Sequence, residues 1–335
     1  MVTEVKDKTK KRMLTGYRPT GRLHLGHWHG NLTNMLKYQE EYESFFFIAD
    51  WHALTSDYAD TSQLTANVDE MVLDWLAAGL DPNVCNIYRQ SDLPQVAELH
   101  LYLSMITPLG WLERNPTYKE QREQLSAKDL GTYGFLGYPV LQCADITMMH
   151  ADVVPVGEDQ LPHLELSREI VRRFTHFYGK YLIEPQALVS HAKKVPGTDG
   201  RKMSKSYDNA IFLTDDAETV RSKVRKMITD PAKIRKTDPG DPDICSVFDL
   251  DRLYATDEEL AKAGAECRDG CLGCVEHKDA LAARISAQLA PFQERRETLA
   301  GKPGLVATVL EEGATRVRPI AEEAIGNVRR LMKVE

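Results

Sequence analysis

The sequence predicts an α/β fold: a domain built on a parallel sheet, followed by an α-helical domain. Three observations lead there. Short apolar runs alternate with amphipathic stretches as far as residue 214, the pattern of repeated strand–helix units. One run, Phe-Phe-Phe-Ile at 45–48, is apolar without a break, as a central parallel strand covered on both faces must be. Past residue 215 the strand signals stop and long helical periodicities take over. The shift divides the chain into 1–214 and 215–335, and 335 residues suffice for two domains.

The elements follow in order. Residues 13–16 read as a first strand, running into the turn Tyr17-Arg18-Pro19-Thr20-Gly21. A helix is predicted from about 28 to 42, with Leu32, Met35 and Leu36 at helical spacing. The strand at 45–48 ends in Asp50-Trp51-His52, and the helix over 62–79 carries Val68, Val72, Trp75 and Leu76 on one side. A strand over 86–89 and a helix over 94–105 come next. Residues 108–130 interrupt the alternation, with Trp111, Leu112, Tyr118 and Leu125 set among charges; they read as an insertion that offers packing or subunit surface. The helix over 138–149 puts Tyr138, Gln142, Asp145 and Met149 on one face. Residues 152–156 form an apolar strand, and Gly157-Glu158-Asp159-Gln160 turns into a helix reaching Phe174. Ile211, Phe212 and Leu213 read as a short strand, and helices at about 216–229, 257–265, 277–299 and 303–332 complete the chain.

A net charge of −8 argues against indiscriminate binding of nucleic acid but leaves room for a local basic face. Arg221, Lys223, Arg225, Lys226, Lys233, Arg235 and Lys236 offer one, opposed only by Asp230. Residues 1–12 are charged and hold no apolar run, so neither a signal peptide nor an anchor is expected. The longest apolar piece, 71–80, is interrupted by Asp74 and is too short for a membrane span; no membrane partner and a cytoplasmic location are the expectations. Cys85 and Cys143 lie in apolar segments and read as core thiols. Cys245, Cys267, Cys271 and Cys274 cluster, and without a secretion signal a metal site is the better reading than a disulfide framework.

Two motifs carry chemistry. The first is Lys202-Met203-Ser204-Lys205-Ser206, preceded by Gly197 and Gly200. A doubly cationic loop is suited to closing over a polyphosphate and neutralising charge as a bond to phosphorus breaks. The second is Pro19-Thr20-Gly21-Arg22-Leu23-His24-Leu25-Gly26-His27. Strand, tight turn and helix offer backbone N–H groups to a phosphate at a helix N-terminus, and the two imidazoles can donate beside them. The carboxylate, amide and phenol on the 138–149 helix can line a pocket, an exposed polar stripe being the alternative. Gly157 allows close backbone approach, while Glu158 and Asp159 can accept from ribose hydroxyls; an N-terminal cap by Asp159 is the competing role.

A His-x-Gly-His turn upstream and a Lys-Met-Ser-Lys-Ser loop downstream, in that order, resemble the paired signatures of the class I aminoacyl-tRNA synthetases. The likeness runs from Gly16 to the last helix. Its most specific pieces are Ala49-Asp50-Trp51-His52-Ala53-Leu54-Thr55, Val154-Pro155-Val156-Gly157-Glu158-Asp159-Gln160, and the lysine loop with Gly200-Arg201 before it. Over that length the chain is similar to the bacterial-type tryptophanyl-tRNA synthetases. The resemblance implies a Rossmann-like catalytic domain over 1–214 that binds ATP and tryptophan. It implies an α-helical anticodon-binding domain over 215–335, its last helix packing back on the first domain. Mg²⁺ accompanying ATP, a tRNA(Trp) partner and a homodimer with 108–130 near its interface belong to the same expectation.

Residue by residue, the resemblance puts ATP across Arg18, Pro19 and Thr20, with phosphates near Gly26 and His27. The ribose faces Gly157, Glu158 and Asp159, and Val195 touches the adenine. Lys202, Met203, Ser204, Lys205 and Ser206 surround the pyrophosphate, with His24, His27, Lys202 and Lys205 as the catalytic groups. Tryptophan is held by Gly16, His52, Tyr138, Gln142, Asp145, Val154, Val156 and Gln160, with Asp145 accepting the indole N–H. Indole offers one donor and no acceptor, so a carboxylate is a suitable reader.

There are departures. Many family members carry Gln in place of Arg18 and Met in place of Gln142. Gln142 with Asp145 also resembles the related tyrosyl enzymes, which place a Tyr where this chain has Leu14. Leu14 offers a phenol no hydrogen bond, so tryptophan is expected, with tyrosine as the nearest rival. An RNA-binding paralogue without activity and a small-molecule nucleotidyltransferase are more distant rivals. Some tryptophanyl enzymes hold a 4Fe–4S cluster through four cysteines. Cys245, Cys267 and Cys274 fit the first three places, with one residue fewer in the first gap; His277 stands at the fourth, and Cys271 is extra. A cluster completed by Cys271 and a structural Zn²⁺ completed by His277 are both open.

Overall fold

The structure, a computed structural model, describes residues 10–116, 118, 130–189 and 195–334. At its centre is a five-stranded sheet of β1 (Arg12–Tyr17), β2 (Glu43–Ile48), β3 (Asn86–Arg89), β4 (Val153–Val156) and β5 (Gln186–Val189). All pairings are parallel, in the order β3-β2-β1-β4-β5. The chain steps outward on one side of β1 and then crosses to the other side. A crevice therefore opens past the C-terminal ends of β1 and β4. Side chains of β2 alternate between two buried clusters: Phe46 and Ile48 join Val68, Val72 and Trp75, whereas Phe45 and Phe47 join Leu99, Leu103 and Cys143. Burial on both faces accounts for the unbroken apolar run.

After β1 comes α1 (Leu25–His27), which continues through a π turn (Trp28–Leu32) into α2 (Thr33–Glu41). Then follow α3 (Asp50–Asp57), α4 (Leu64–Ala78), α5 (Pro94–Ile106) and α6 (Leu109–Glu113). Helix α7 (Tyr133–Met148) starts earlier than its apolar pattern suggests, because the Thr132 hydroxyl caps it by accepting from the Phe135 N–H at 3.2 Å. Helix α8 (Leu161–Tyr178) leads to β5. Of the 108–130 insertion, residues 117 and 119–129, Leu125 among them, lie outside the described residues.

The segment at 211–213 is not a strand of the sheet. Phe212 makes an isolated bridge to His24, while the Leu25 N–H donates to the Ile211 carbonyl (3.0 Å) and the Leu213 N–H to the Leu23 carbonyl (2.9 Å). Ile211 and Leu213 are apolar because they are fully buried beneath the His-x-Gly-His turn. Strand β5, Gln-Ala-Leu-Val, which sequence reading passed over, is a short edge strand with no fully buried residue, and its apolar run of three residues is too short to stand out.

Five helices complete the chain as described: α9 (Ala217–Arg225), α10 (Ser246–Asp251), α11 (Asp257–Arg268), α12 (Cys274–Ala300) and α13 (Leu305–Met332). They do not enclose a core of their own. Leu281, Ile285, Leu289 and Phe292 of α12 share the cluster of Val72 and Trp75, and Ala314, Val317, Ala321 and Ile325 of α13 share that of Leu99 and Leu103. Helix α13 approaches β3 so closely at Gly313 that any side chain there would collide with the Ile87 carbonyl.

Candidate active site

The His-x-Gly-His turn is built by its own histidines. His24 precedes α1 with extended backbone and its Nδ1 accepts the Gly26 N–H at 3.1 Å; the Nδ1 of His27 reaches back to accept the His24 N–H at 3.1 Å. A backbone N–H can only donate, so both Nδ1 atoms are acceptors and each ring carries its proton on Nε2. The turn thus holds two imidazole N–H donors, their ring centroids 3.8 Å apart. Burial, with Lys205 and Lys202 adding to it, pushes His24 down to about 4. Burial, then His24 and the two lysines, pushes His27 down to about 3. Both rings are neutral donors near pH 7.

The lysine loop lies against this turn. Lys205 Nζ donates to the Thr20 carbonyl (2.7 Å) and to its hydroxyl (3.3 Å). Burial is the main cause that pushes Lys205 down to about 8. Lys202 and Ser206 are exposed, and Met203 is buried, its N–H donating to the carbonyl of buried Val195 at 2.9 Å. The hub of the loop is Asn209, only 1% exposed. Its Oδ1 accepts the Ser204 N–H (2.8 Å), and its Nδ2 donates to Asp199 (2.7 Å) and to the Lys202 carbonyl (3.3 Å).

Beside the turn, at the C-terminal ends of β1 and β4, lies a cavity of about 360 Å³, within the range of small-molecule sites. All eight residues expected to hold tryptophan line it: Gly16, His52, Tyr138, Gln142, Asp145, Val154, Val156 and Gln160. Leu14, Phe47 and Phe135 add apolar wall, and Arg18 and Gly157 line the same space. A side chain at Gly16 would fall inside the Phe47 ring, so glycine keeps that wall flat. Thr20 and His27 border a smaller neighbouring cavity together with Arg18 and Asn31. Pro19 is buried and Glu158 exposed at the turn after β4, while the Asp159 side chain lies outside the described residues.

One carboxylate in this cavity is buried. Asp145 is 4% exposed; His52 Nε2 lies 2.8 Å from its Oδ2, and Gln90 Nε2 lies 2.8 and 2.9 Å from its two oxygens. Burial pushes its pKa up, and the His52 and Gln90 contacts oppose that. Across the cavity the Tyr138 hydroxyl meets His163 Nε2 at 2.7 Å, and His163 Nδ1 meets Gln160 Oε1 at 3.0 Å. Gln90 was not singled out from sequence. The available signal was its position, directly after β3, where ligand-facing residues of such sheets collect.

The family model "tRNA synthetases class I (W and Y)" matches residues 6–290. A tryptophan–tRNA ligase of Thermotoga maritima is 45% identical over 96% of this chain and 99% of its own. That of Aquifex aeolicus is 44% identical over 96% of this chain and all of its own. Among solved structures, the tryptophanyl-tRNA synthetase of Campylobacter jejuni complexed with ADP and tryptophan superposes with a TM-score of 0.88, at 32% identity over 96% of this chain and 99% of that one. This chain belongs to the tryptophanyl-tRNA synthetases.

Two further expectations for this synthetase concern residues outside the Asp145 cavity. Cys245, Cys267, Cys274 and His277 do line one cavity, with Asp230, Lys233 and Asp241, but exposed Cys271 does not. The cavity is about 10 Å³, room for one water. His277 Nε2 is held by Asp251 Oδ2 at 2.8 Å, and among the described residues no three donors are drawn together closely enough to hold an ion. In the basic run after the lysine loop Lys233 is buried and Lys223 half-buried, while Arg221, Arg225, Lys226, Arg235 and Lys236 are exposed, several of them in surface ion pairs. Arg221 and Arg225 both pair with Asp279, Lys223 with Asp215 and Lys236 with Glu276, while buried Lys233 donates to the carbonyls of Lys236 and Asp238.

Proposed function

We infer that the chain is a tryptophan–tRNA ligase: it activates L-tryptophan with ATP and transfers it to the 3′ end of tRNA(Trp). The observation that carries this reading is the buried Asp145 carboxylate facing a cavity of aromatic and aliphatic walls, beside the two signature loops. The tryptophan carboxylate attacks the α-phosphorus of ATP; the bond to the β-phosphate oxygen breaks and pyrophosphate leaves. The Nε2–H groups of His24 and His27, with Lys202 and Lys205, meet charge that develops on the phosphates, and the catalysis is positioning plus electrostatic stabilisation. ATP arrives as its Mg²⁺ complex, the ion neutralising phosphate charge. A terminal ribose hydroxyl of the tRNA then attacks the acyl carbon, and AMP leaves. Leu14 stands where a phenol would need a partner, which favours tryptophan over tyrosine. Pyrophosphate exchange into ATP, run with each amino acid in turn, tests this: exchange should depend on tryptophan, and better exchange with tyrosine would overturn it.

Three further parts belong to the same reading. We keep 215 as the functional boundary, with the helices beyond it contacting tRNA. We assign a homodimer, supported by Leu101, Met105, Leu109 and Tyr133, which are 52–68% exposed around the 108–130 insertion. Sedimentation at micromolar concentration should give twice the chain mass. Three thiols and one imidazole are the donor set of a structural zinc ion rather than of an iron–sulfur cluster, and such an ion would have to draw them closer together than they stand here. Held by Cys245, Cys267, Cys274 and His277, the ion would tie α10, α11 and α12 together. Metal analysis of anaerobically prepared protein should find zinc; iron with sulfide would reverse the choice. Among the described residues no helix is long and apolar enough to cross a membrane, and the location we propose is the cytoplasm.

A further inference from the structure

Gln90 is fully buried at the first position after β3. Its Oε1 accepts the Trp51 N–H at 3.1 Å, at the start of α3, a donor shared with Asp50 Oδ1 at 3.1 Å. Since that N–H can only donate, the amide has one orientation, and its nitrogen must point at Asp145, where it donates to both carboxylate oxygens. The titratable groups that face this carboxylate are Asp50 and His52 on α3, Tyr88 on β3 and Cys143 on α7. Behind them Arg89 faces Asp50 and His100 faces His52, and Tyr138 lines the same cavity. Of the described residues, only His52 and Gln90 hydrogen-bond to Asp145. The His52 ring has two nitrogens whose donor and acceptor roles depend on the tautomer. Gln90 has a fixed donor.

We propose that Gln90 is a specificity-determining positioning residue: it holds the Asp145 carboxylate in one orientation and keeps it an acceptor, so that the pocket selects a ring whose polar atom is a lone N–H. The inference rests on the reading of Asp145 as the indole partner. A buried carboxyl without a fixed donor drifts toward its neutral form, and a neutral acid turns an O–H toward an N–H that can only donate. Gln90 prevents this through Asp145 alone, since it does not itself line the cavity. The Trp51 contact makes the arrangement directional, because a rotated amide would lose a backbone hydrogen bond and aim an oxygen at a carboxylate.

The test is pyrophosphate-exchange kinetics of the full-length protein with tryptophan, from about pH 6 to 9, for the wild type, Asp145→Asn, Gln90→Met and Gln90→Glu. Gln90→Met should raise KM for tryptophan about tenfold near neutrality, the size of one lost charge-assisted hydrogen bond, and the loss should deepen as pH falls and Asp145 takes up a proton. Gln90→Glu, of the same shape, should behave oppositely. It should stay close to the wild type at low pH, where the new carboxyl donates to Asp145, and weaken as pH rises and two carboxylates face each other. KM for ATP should stay within about twofold in both, since Gln90 is remote from the signature loops. The inference is overturned if both variants raise KM for tryptophan by one pH-independent factor, as a purely structural role would, or do not raise it. If Asp145→Asn leaves KM for tryptophan unchanged, the indole reading falls and takes Gln90 with it. If Asp145→Asn raises it and the two Gln90 slopes still agree in sign, only the role of Gln90 falls.

Discussion

At Asp145 the fold accepts the cost of a buried carboxylate and offsets it with two donors. Replacing it with Asn keeps shape and one acceptor oxygen but removes charge. A charge-assisted hydrogen bond contributes roughly 1.5–3 kcal/mol, so kcat/KM for tryptophan should drop about 10- to 100-fold; KM for ATP, measured in the same exchange assay, should hold. Lys205 gives a pH prediction. Its pKa is lowered to about 8, so its ammonium is present below that pH and lost above it. In the free enzyme kcat/KM for ATP should therefore decline above about pH 8. Lys205→Arg, which stays charged, should flatten that alkaline limb; an unchanged limb would assign the decline to another group. Residues such as His24, Lys205 and Asp145 were legible because each sits in a local string whose chemistry is readable. Gln90 and Phe47 were not, because their importance lies in what other strands place opposite them.

The lysine loop is the element whose function depends most on its scaffold. Asn209 ties Asp199, Lys202 and Ser204 together from inside the turn. Asn209→Ala should lower kcat for adenylate formation about tenfold or more, since small misplacements of catalytic groups are costly. KM for tryptophan should scarcely move, because Asn209 does not border that cavity. An equal rise in KM with kcat intact would refute the clasp. Elements were legible where one force dominated. The run at 45–48 read as a buried strand because nothing polar interrupts it. Residues 211–213 misled for the same reason: burial under a turn and burial in a sheet select the same side chains. The π turn at Trp28–Leu32 left no periodic signature, since one added residue per turn is lost in so short a helix.

For the whole molecule, the helices beyond 215 are coupled to the His-x-Gly-His turn through a buried carboxylate. Asp74 on α4, wholly buried, accepts the Leu23 N–H at 3.2 Å and Arg296 Nε of α12 at 2.6 Å. Removing the guanidinium strands that carboxylate, a change that costs about 3 kcal/mol. Arg296→Ala should thus lower the melting temperature by about 5 °C and slow adenylate formation through the displaced Leu23. A melt unchanged from the wild type would show that the pair does not hold the two halves together. That α12 and α13 share both buried clusters with the sheet was not legible in the sequence beyond the expectation that the last helix packs back. A composition shift marks where strands cease and carries no information on which apolar faces meet.

The close seat of α13 on β3 at Gly313 has a consequence for how the chain is made. β3 is an edge strand of the sheet, and the helix that covers it is synthesised only after both signature loops. At about 5–20 residues per second on the ribosome, Ile87 and Tyr88 wait about 10–40 s for that cover, as an apolar edge open to other nascent chains. Premature stops past Gly304 would release polypeptides with both signature loops intact and that edge bare. Such fragments are clients for chaperones and proteases, and a late frameshift should be read out as lost protein rather than as lost affinity.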